Sequence, residues 1–222
     1  MKTRILSVLS SAILLGGFGC ANVSALQTAR ALKSGERELA VGGGYFTMPA
    51  LNDVLEDVAE ASMASEDVDT SIEIPYLEVS YREGLGSNMD FGVKLTLIGT
   101  LAADFKYQLL DVNGFSLAAG VGLGAFYLSS DSDSDGGSSD FTMVDTMIPI
   151  YASYDVSEAF ALYASPKYIL RTINGEPLHL GGLTAGTKIG KDMGVYLELS
   201  YLQYLDNFDI PEILQFNAAY FF

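Results

Sequence analysis

The sequence predicts a closed, antiparallel, up-and-down transmembrane β-barrel of about ten strands, and three observations carry that expectation. First, the 222-residue chain is 49% hydrophobic with a mean hydropathy of +0.26, yet past its N-terminus it holds no apolar run of about 18 residues that would make a spanning helix. Second, apolar residues recur with period two almost everywhere, so each segment has one apolar and one polar face. Third, the connections between these segments alternate between short and longer, as in a meander whose two ends face different compartments.

Taken in order, residues 1–20 read as an export signal, with basic Met1-Lys2-Thr3-Arg4 followed by a short apolar stretch over 5–15. Cys20 is the only cysteine and stands just past that stretch, where a lipoprotein cysteine would be. The preceding Gly17-Phe18-Gly19 lacks the usual Leu, so the competing route is cleavage after Val23-Ser24-Ala25, a small-x-small site. Lipidation at Cys20 is the leading expectation, and either route excludes an intramolecular disulfide. Residues 21–35 are then a periplasmic N-terminal segment, and 36–222 the barrel.

The first strand, 38–45, sets Leu39, Val41 and Tyr45 against small or charged residues. The second alternates Leu77, Val79 and Tyr81 with Tyr76, Glu78, Ser80 and Arg82. The third interleaves Phe91, Val93, Leu95 and Leu97 with Asp90, Gly92, Lys94 and Thr96; the fourth interleaves Leu101, Ala103, Phe105 and Tyr107 with Ala102, Asp104, Lys106 and Gln108. The fifth has Phe115, Leu117, Val121, Leu123 and Tyr127 on one side and Gly120, Gly122 and Gly124 on the other. The sixth opposes Val144, Ile148, Ile150 and Tyr154 to Asp145, Met147, Tyr151 and Ser153. The seventh opposes Phe160, Leu162, Ala164, Tyr168 and Leu170 to Tyr163, Ser165, Lys167 and Arg171. The eighth and ninth oppose Leu183, Ala185, Ile189 to Thr184, Gly186, Lys188, and Val195, Leu197, Leu199, Tyr201 to Tyr196, Glu198, Ser200. The last sets Leu214, Phe216, Ala218, Tyr220 and Phe222 against Gln215, Asn217 and Ala219. Short turns fall at 84–88, 111–114, 155–159 and 190–194. Longer connections fall at 47–71, 129–140 and 205–213, with 172–178 intermediate and 98–100 tight.

A chain ending in Phe222, with Tyr220, Phe216 and Leu214 on the same face, resembles the C-terminal signal of the bacterial outer-membrane β-barrel superfamily. That resemblance implies an outer-membrane location, contact with membrane lipid, and recognition of Tyr220 and Phe222 by the barrel-assembly machinery. The competing folds are a soluble β-sandwich or a lipocalin-like barrel, which also alternate. Against them, the face opposite the apolar one carries charges, which a soluble core excludes unless they are paired.

That charged face, the expected lumen, holds Glu38, Glu78, Arg82, Asp90, Lys94, Asp104, Lys106, Asp145, Lys167, Arg171, Lys188 and Glu198. Acids and bases balance, which favours mutual pairing in a narrow or plugged interior; a polar pore is the alternative. With the lumen balanced, the net charge of −16 must sit largely in the outer loops, and it makes nucleic acid an unsuitable partner. The loop 47–71 is acidic throughout, and Leu51, Val54, Leu55, Val58 and Ala61 recur within it at helical spacing, predicting a short helix over 51–64 or a solvated loop. Asp131, Asp133 and Asp135 with Gly136 match the first half of a Ca²⁺ loop, but Thr142 stands where the bidentate Glu belongs. No dedicated metal site or cofactor is therefore expected, only loose divalent cations among acidic loops. His179, the single histidine, has no nucleophile signature around it. The expected function is a non-enzymatic barrel with a structural or interaction role; the alternatives are a narrow channel for small solutes and an outer-membrane hydrolase.

Overall fold

The structure is a computed structural model, and its described residues are 24–48, 72–97, 99–131, 138–206 and 212–222. Cys20, Asp133, Asp135 and most of the acidic loop, including the expected helix over 51–64, lie outside them; Asp131 is the last residue of a strand.

Ten strands form one closed antiparallel barrel in which each strand pairs with its sequence neighbours and the first pairs with the last. They are β1 Arg37–Met48, β2 Ile72–Gly86, β3 Met89–Thr96, β4 Leu101–Val112 and β5 Phe115–Asp131. The second half is β6 Ser138–Ser157, β7 Phe160–Ile173, β8 Glu176–Gly190, β9 Gly194–Tyr204 and β10 Ile213–Phe221. Closure runs from Ala40↔Phe221 to Phe46↔Gln215, and at the seam Leu39 and Phe222 exchange backbone hydrogen bonds of 3.0 and 2.9 Å. Closure leaves no row of unpaired backbone groups, the condition for a sheet to cross lipid.

The predicted strands are those observed, with one turn tighter than expected. The stretch 172–178 is not an intermediate loop: β7 and β8 meet in a two-residue turn, Asn174-Gly175, with φ of 50° and 95°. The Asn-Gly pair satisfies the left-handed conformation that a type I′ hairpin needs at both central residues. At the far end of β6, residues 129–131 pair with 138–140, so the ladder reaches into what the sequence suggested was loop.

The faces are inverted relative to a soluble protein. Side chains pointing outward are apolar and exposed, among them Leu97, Leu123, Ile148, Leu183, Leu199 and Phe216. Outward tyrosines and phenylalanines gather near both ends: Tyr45, Tyr127, Tyr168 and Tyr201 on one side, and Tyr107, Phe115, Tyr154 and Tyr220 near the short turns. An apolar band edged by aromatic girdles matches a bilayer core with its two interfaces.

Candidate functional site in the barrel lumen

The lumen is layered, and the strand register sets the layers. Next to the short turns, Arg82 of β2 reaches Asp90 of β3 in a close ion pair and Asp104 of β4 at 2.6 Å. Lys106 sits 3.1 Å from Asp90 on its other side. This cluster crosses β3 at Gly92, where an added Cβ would lie 2.5 Å from the Arg82 guanidinium and 2.8 Å from Asp104. Glycine is thus required there by the passage of the ion pair. Across the lumen, Lys188 binds Glu38 at 2.6 Å and stacks over the Phe221 ring at 4.3 Å, while Tyr196 donates to the same Glu38 at 2.9 Å.

Further in, Glu198 is buried and accepts a hydrogen bond from the Tyr163 hydroxyl at 2.8 Å. Lys94 lies 4.0 Å from Glu78, and Lys167 donates to Thr184 at 2.8 Å. Towards the longer connections, Arg171 and Asp145, opposite each other in register, make a two-pronged pair at 2.9 and 3.1 Å. All twelve of these charged side chains project into the barrel interior. Beside the Arg171–Asp145 pair, Ile169, Leu180, Leu202 and Ile213 pack as one apolar cluster.

A paired charge network inside and an apolar girdle outside invert the soluble arrangement and match a bilayer surround. The molecule has the architecture of a bacterial outer-membrane β-barrel. Its short turns and the free ends of β1 and β10 gather at one end, the periplasmic end in barrels of this architecture. No protein-family model and no curated protein matches the chain. Among solved structures, it is similar to the outer membrane protein Ail of Yersinia pestis in a phospholipid nanodisc. There identity is 11% and the TM-score 0.35, covering 84% of this chain and 100% of that one. The translocator domain of the autotransporter NalP from Neisseria meningitidis gives 11% identity and a TM-score of 0.38, with 97% of each chain covered. LpxR from Salmonella typhimurium gives 10% and 0.38, covering 83% of this chain and 99% of that one.

The lumen also contains something the sequence reading did not place there. Residues 24–32, part of the segment expected ahead of the barrel in the periplasm, run inside it. The barrel wall binds their backbone at successive levels. The Leu32 amide donates to Asp90 at 3.2 Å, the Ala31 amide to Gln108 at 2.8 Å, and the Ala29 amide to Ser153 at 3.2 Å. Lys106 donates to the carbonyls of Thr28 at 2.8 Å and Arg30 at 3.1 Å. Both oxygens of Glu198 are taken by consecutive amides, Ala25 at 3.0 Å and Leu26 closer still. Side chains add Gln27 to the Tyr151 hydroxyl at 2.9 Å, Ser24 to Glu78 at 2.9 Å, and Arg30 to Asp155 at 2.7 Å. Several lumen groups thus serve two purposes, pairing with one another and satisfying an irregular backbone that would otherwise be buried without partners.

Little space is left. Beside Ser24, Lys94, Asp104, Tyr151 and Lys167 is a cavity of about 40 Å³, and another of about 10 Å³ lies near Arg82. A larger hollow of about 360 Å³ opens at the periplasmic end among Arg30, Asp155, Glu158, Lys188 and Lys191. There, outside the strands, the Lys191 ammonium 2.7 Å from Glu158 holds that carboxyl below its usual range.

His179 is on the outward side of β8. Its ring contacts the Tyr168 hydroxyl and its backbone amide donates to Asp206 at 2.8 Å. Tyr220 and Phe222 point outward from the end of β10, their rings 5.9 Å apart.

Proposed function

We propose that this protein is a non-conducting, non-enzymatic outer-membrane barrel with a structural or interaction role, presenting acidic outer segments to the cell exterior. The observation that carries this reading is the occupied lumen. Residues 24–32 and the paired charges around them leave spaces of about 40 and 10 Å³ in the barrel interior, enough for a few waters and no solute. The outward position of His179, with a tyrosine hydroxyl as its ring partner, favours a structural histidine over a catalytic one. The eight carboxylates from Asp53 to Glu73, with no Lys or Arg among them, suit loose divalent cations bridging the loop to an anionic surface. Tyr220 and Phe222 are offered for recognition by the assembly machinery during insertion.

The test is single-channel recording of the purified full chain in planar bilayers. The expected result is a silent membrane. Regular steps of one size would replace this reading with a narrow solute channel. In parallel, H179A in cells should leave outer-membrane lipid and protein turnover unchanged; a loss of turnover would make the protein an enzyme.

A further inference from the structure

Glu198 differs from the other lumen acids in the kind of partner it has. Glu38, Glu78, Asp90, Asp104 and Asp145 each have a Lys or Arg nitrogen within 4.0 Å. Glu198 is 2% exposed, and among the described residues each of its hydrogen-bond donors is neutral. They are the Tyr163 hydroxyl at 2.8 Å, the Asn217 side-chain amide at 3.4 Å, and the backbone amides of Ala25 at 3.0 Å and Leu26 closer still. The lysines that line the same space are directed elsewhere, Lys94 to the Ser24 carbonyl at 2.6 Å and Lys167 to Thr184 at 2.8 Å. A buried carboxylate is best held by a cation, and a charged donor makes a stronger bond to it than a neutral one.

Leu26, bonded most closely to Glu198, has an unusual backbone. Its φ is 45°, in the left-handed region. The other described non-glycine residues with positive φ are Ser87, Asn88, Asn113 and Asn174, all in the turns between strands. Leu26 is an aliphatic residue inside the lumen, its side chain buried in one cluster with Tyr163, Tyr196 and Phe221. Positive φ is disfavoured because Cβ crowds the adjoining backbone, the carbonyl of the preceding residue included. That carbonyl belongs to Ala25, and Val23-Ser24-Ala25 is the small-x-small sequence after which an export signal is cut. A cut there removes the crowding carbonyl and makes the Leu26 nitrogen a free amine. The strained φ, the cut site and the carboxylate with neutral donors thus meet at one peptide bond.

We propose that Glu198, flanked by Tyr163 and Asn217, is the binding site for the α-ammonium of Leu26, the first residue of the chain once its export signal is cut away after Ala25. In that cut, made by a peptidase of the export machinery, water adds across the Ala25–Leu26 peptide bond. The C–N bond breaks, the Ala25 carbonyl carbon takes the water oxygen and leaves as a carboxylate, and both water protons pass to the Leu26 nitrogen, which becomes an ammonium. Ala25 and Leu26 are buried in the lumen, so the cut precedes closure of the barrel. An ammonium has three donors, enough to reach both Glu198 oxygens in place of the two amides, while the Leu26 side chain keeps its aromatic neighbours. With Ser24 gone, Lys94 is released to close on Glu78, 4.0 Å away. The space that Ser24 and Ala25 vacate joins the cavity of about 40 Å³ that they line with Lys94, Asp104 and Lys167, a polar setting that water fills. Cys20 leaves with the signal, so this route excludes its lipidation. The inference concerns how the lumen segment is anchored and holds whether or not the barrel conducts.

The full chain, expressed with its own export signal, is isolated from bacterial outer membranes for mass spectrometry of the intact protein. A chain beginning at Leu26 is the expected result; one beginning at Cys20 or at any other residue overturns the proposal. The binding site is tested by refolding that mature chain into vesicles in two forms, one with its free amine and one carrying an N-terminal acetyl group. The acetyl group restores a carbonyl ahead of Leu26 and a neutral amide on Glu198. Within the urea transition, the free-amine form should have an unfolding equilibrium constant about tenfold lower, the margin of a charged over a neutral hydrogen bond. Equal stability, or a more stable acetylated form, overturns the proposal. E198Q should erase the difference between the two forms, and a difference that survives it overturns the assignment to Glu198. The acetylation comparison alters no side chain, so it decides by itself where E198Q fails to fold.

Discussion

At the residue scale, the cost of a charge in this lumen depends on whether its partner is fixed. Arg171 is fully buried, and its two-pronged contact with Asp145 is its ion pair among the described residues. D145A would strand a guanidinium that water reaches poorly, and removal of one partner of a buried pair costs about 3–5 kcal/mol. Urea unfolding in lipid vesicles should show a loss of that order. The exposed pair Lys191–Glu158 is the control. Both groups are solvent-facing on the periplasmic turns, so K191A should leave the same transition unmoved. The sign of its pH dependence follows from the lowered Glu158 carboxyl. Whatever the pair contributes is present above the ordinary carboxylate range and is lost as pH falls through the lowered value. The alternation placed Arg171 and Asp145 on the inner face, since period two separates the faces. It did not say that they pair, because partners are set by register between strands far apart in sequence. Arg82, which reaches past Gly92 to a strand not its neighbour, was further still from inspection.

At the element scale, hairpins and the lumen segment obey different rules. Asn174-Gly175 forms a tight turn because both residues accept positive φ. G175V puts a β-branched residue at φ 95° and should cost about 1–2 kcal/mol in the same unfolding assay, while leaving the lumen undisturbed. G84A acts differently. The added methyl would lie 2.0 Å from the Lys33 carbonyl, so the wall and the lumen segment cannot keep their present separation. The barrel should still fold, because Gly84 has a single side-chain-free role at the rim. Residues 24–34 should become cleavable by protease added from the periplasmic side, where in the unaltered chain they resist. Unchanged resistance would mean that the entry point is not what holds the segment. The ten strands were legible because each presents a repeating face, whereas the lumen segment was not. Ser24-Ala25-Leu26-Gln27-Thr28-Ala29 has no period, and small polar residues in that order read as a linker. Its signal lay elsewhere, in Glu198, Gln108 and Ser153, inward groups of the strands that take backbone partners from it.

At the scale of the whole molecule, the barrel and its filling are separate constructions, and that separation makes a prediction. The ladder closes through β1 and β10 without any bond from residues 24–34, and the outer apolar band meets lipid regardless of what the lumen holds. A chain beginning at Gly35 and refolded into vesicles should therefore still give the heat-sensitive gel shift of a closed barrel. Its interior would be different. Glu198 would lose two amide donors, Lys106 two carbonyl acceptors, and Asp90, Gln108 and Ser153 one donor each. Groups left without partners recruit water, and each buried polar group unsatisfied by protein costs about 1–3 kcal/mol until it does. The truncated barrel should thus be less stable to urea than the full chain and should conduct ions in planar bilayers. Because the remaining lumen charges largely pair among themselves, the current should show weak preference between cations and anions. The apolar layer of Ile169, Leu180, Leu202 and Ile213 supplies the opposing outcome. If those side chains meet across the lumen and exclude water without help, the truncated barrel stays silent, and closure belongs to the strands instead of the segment they enclose.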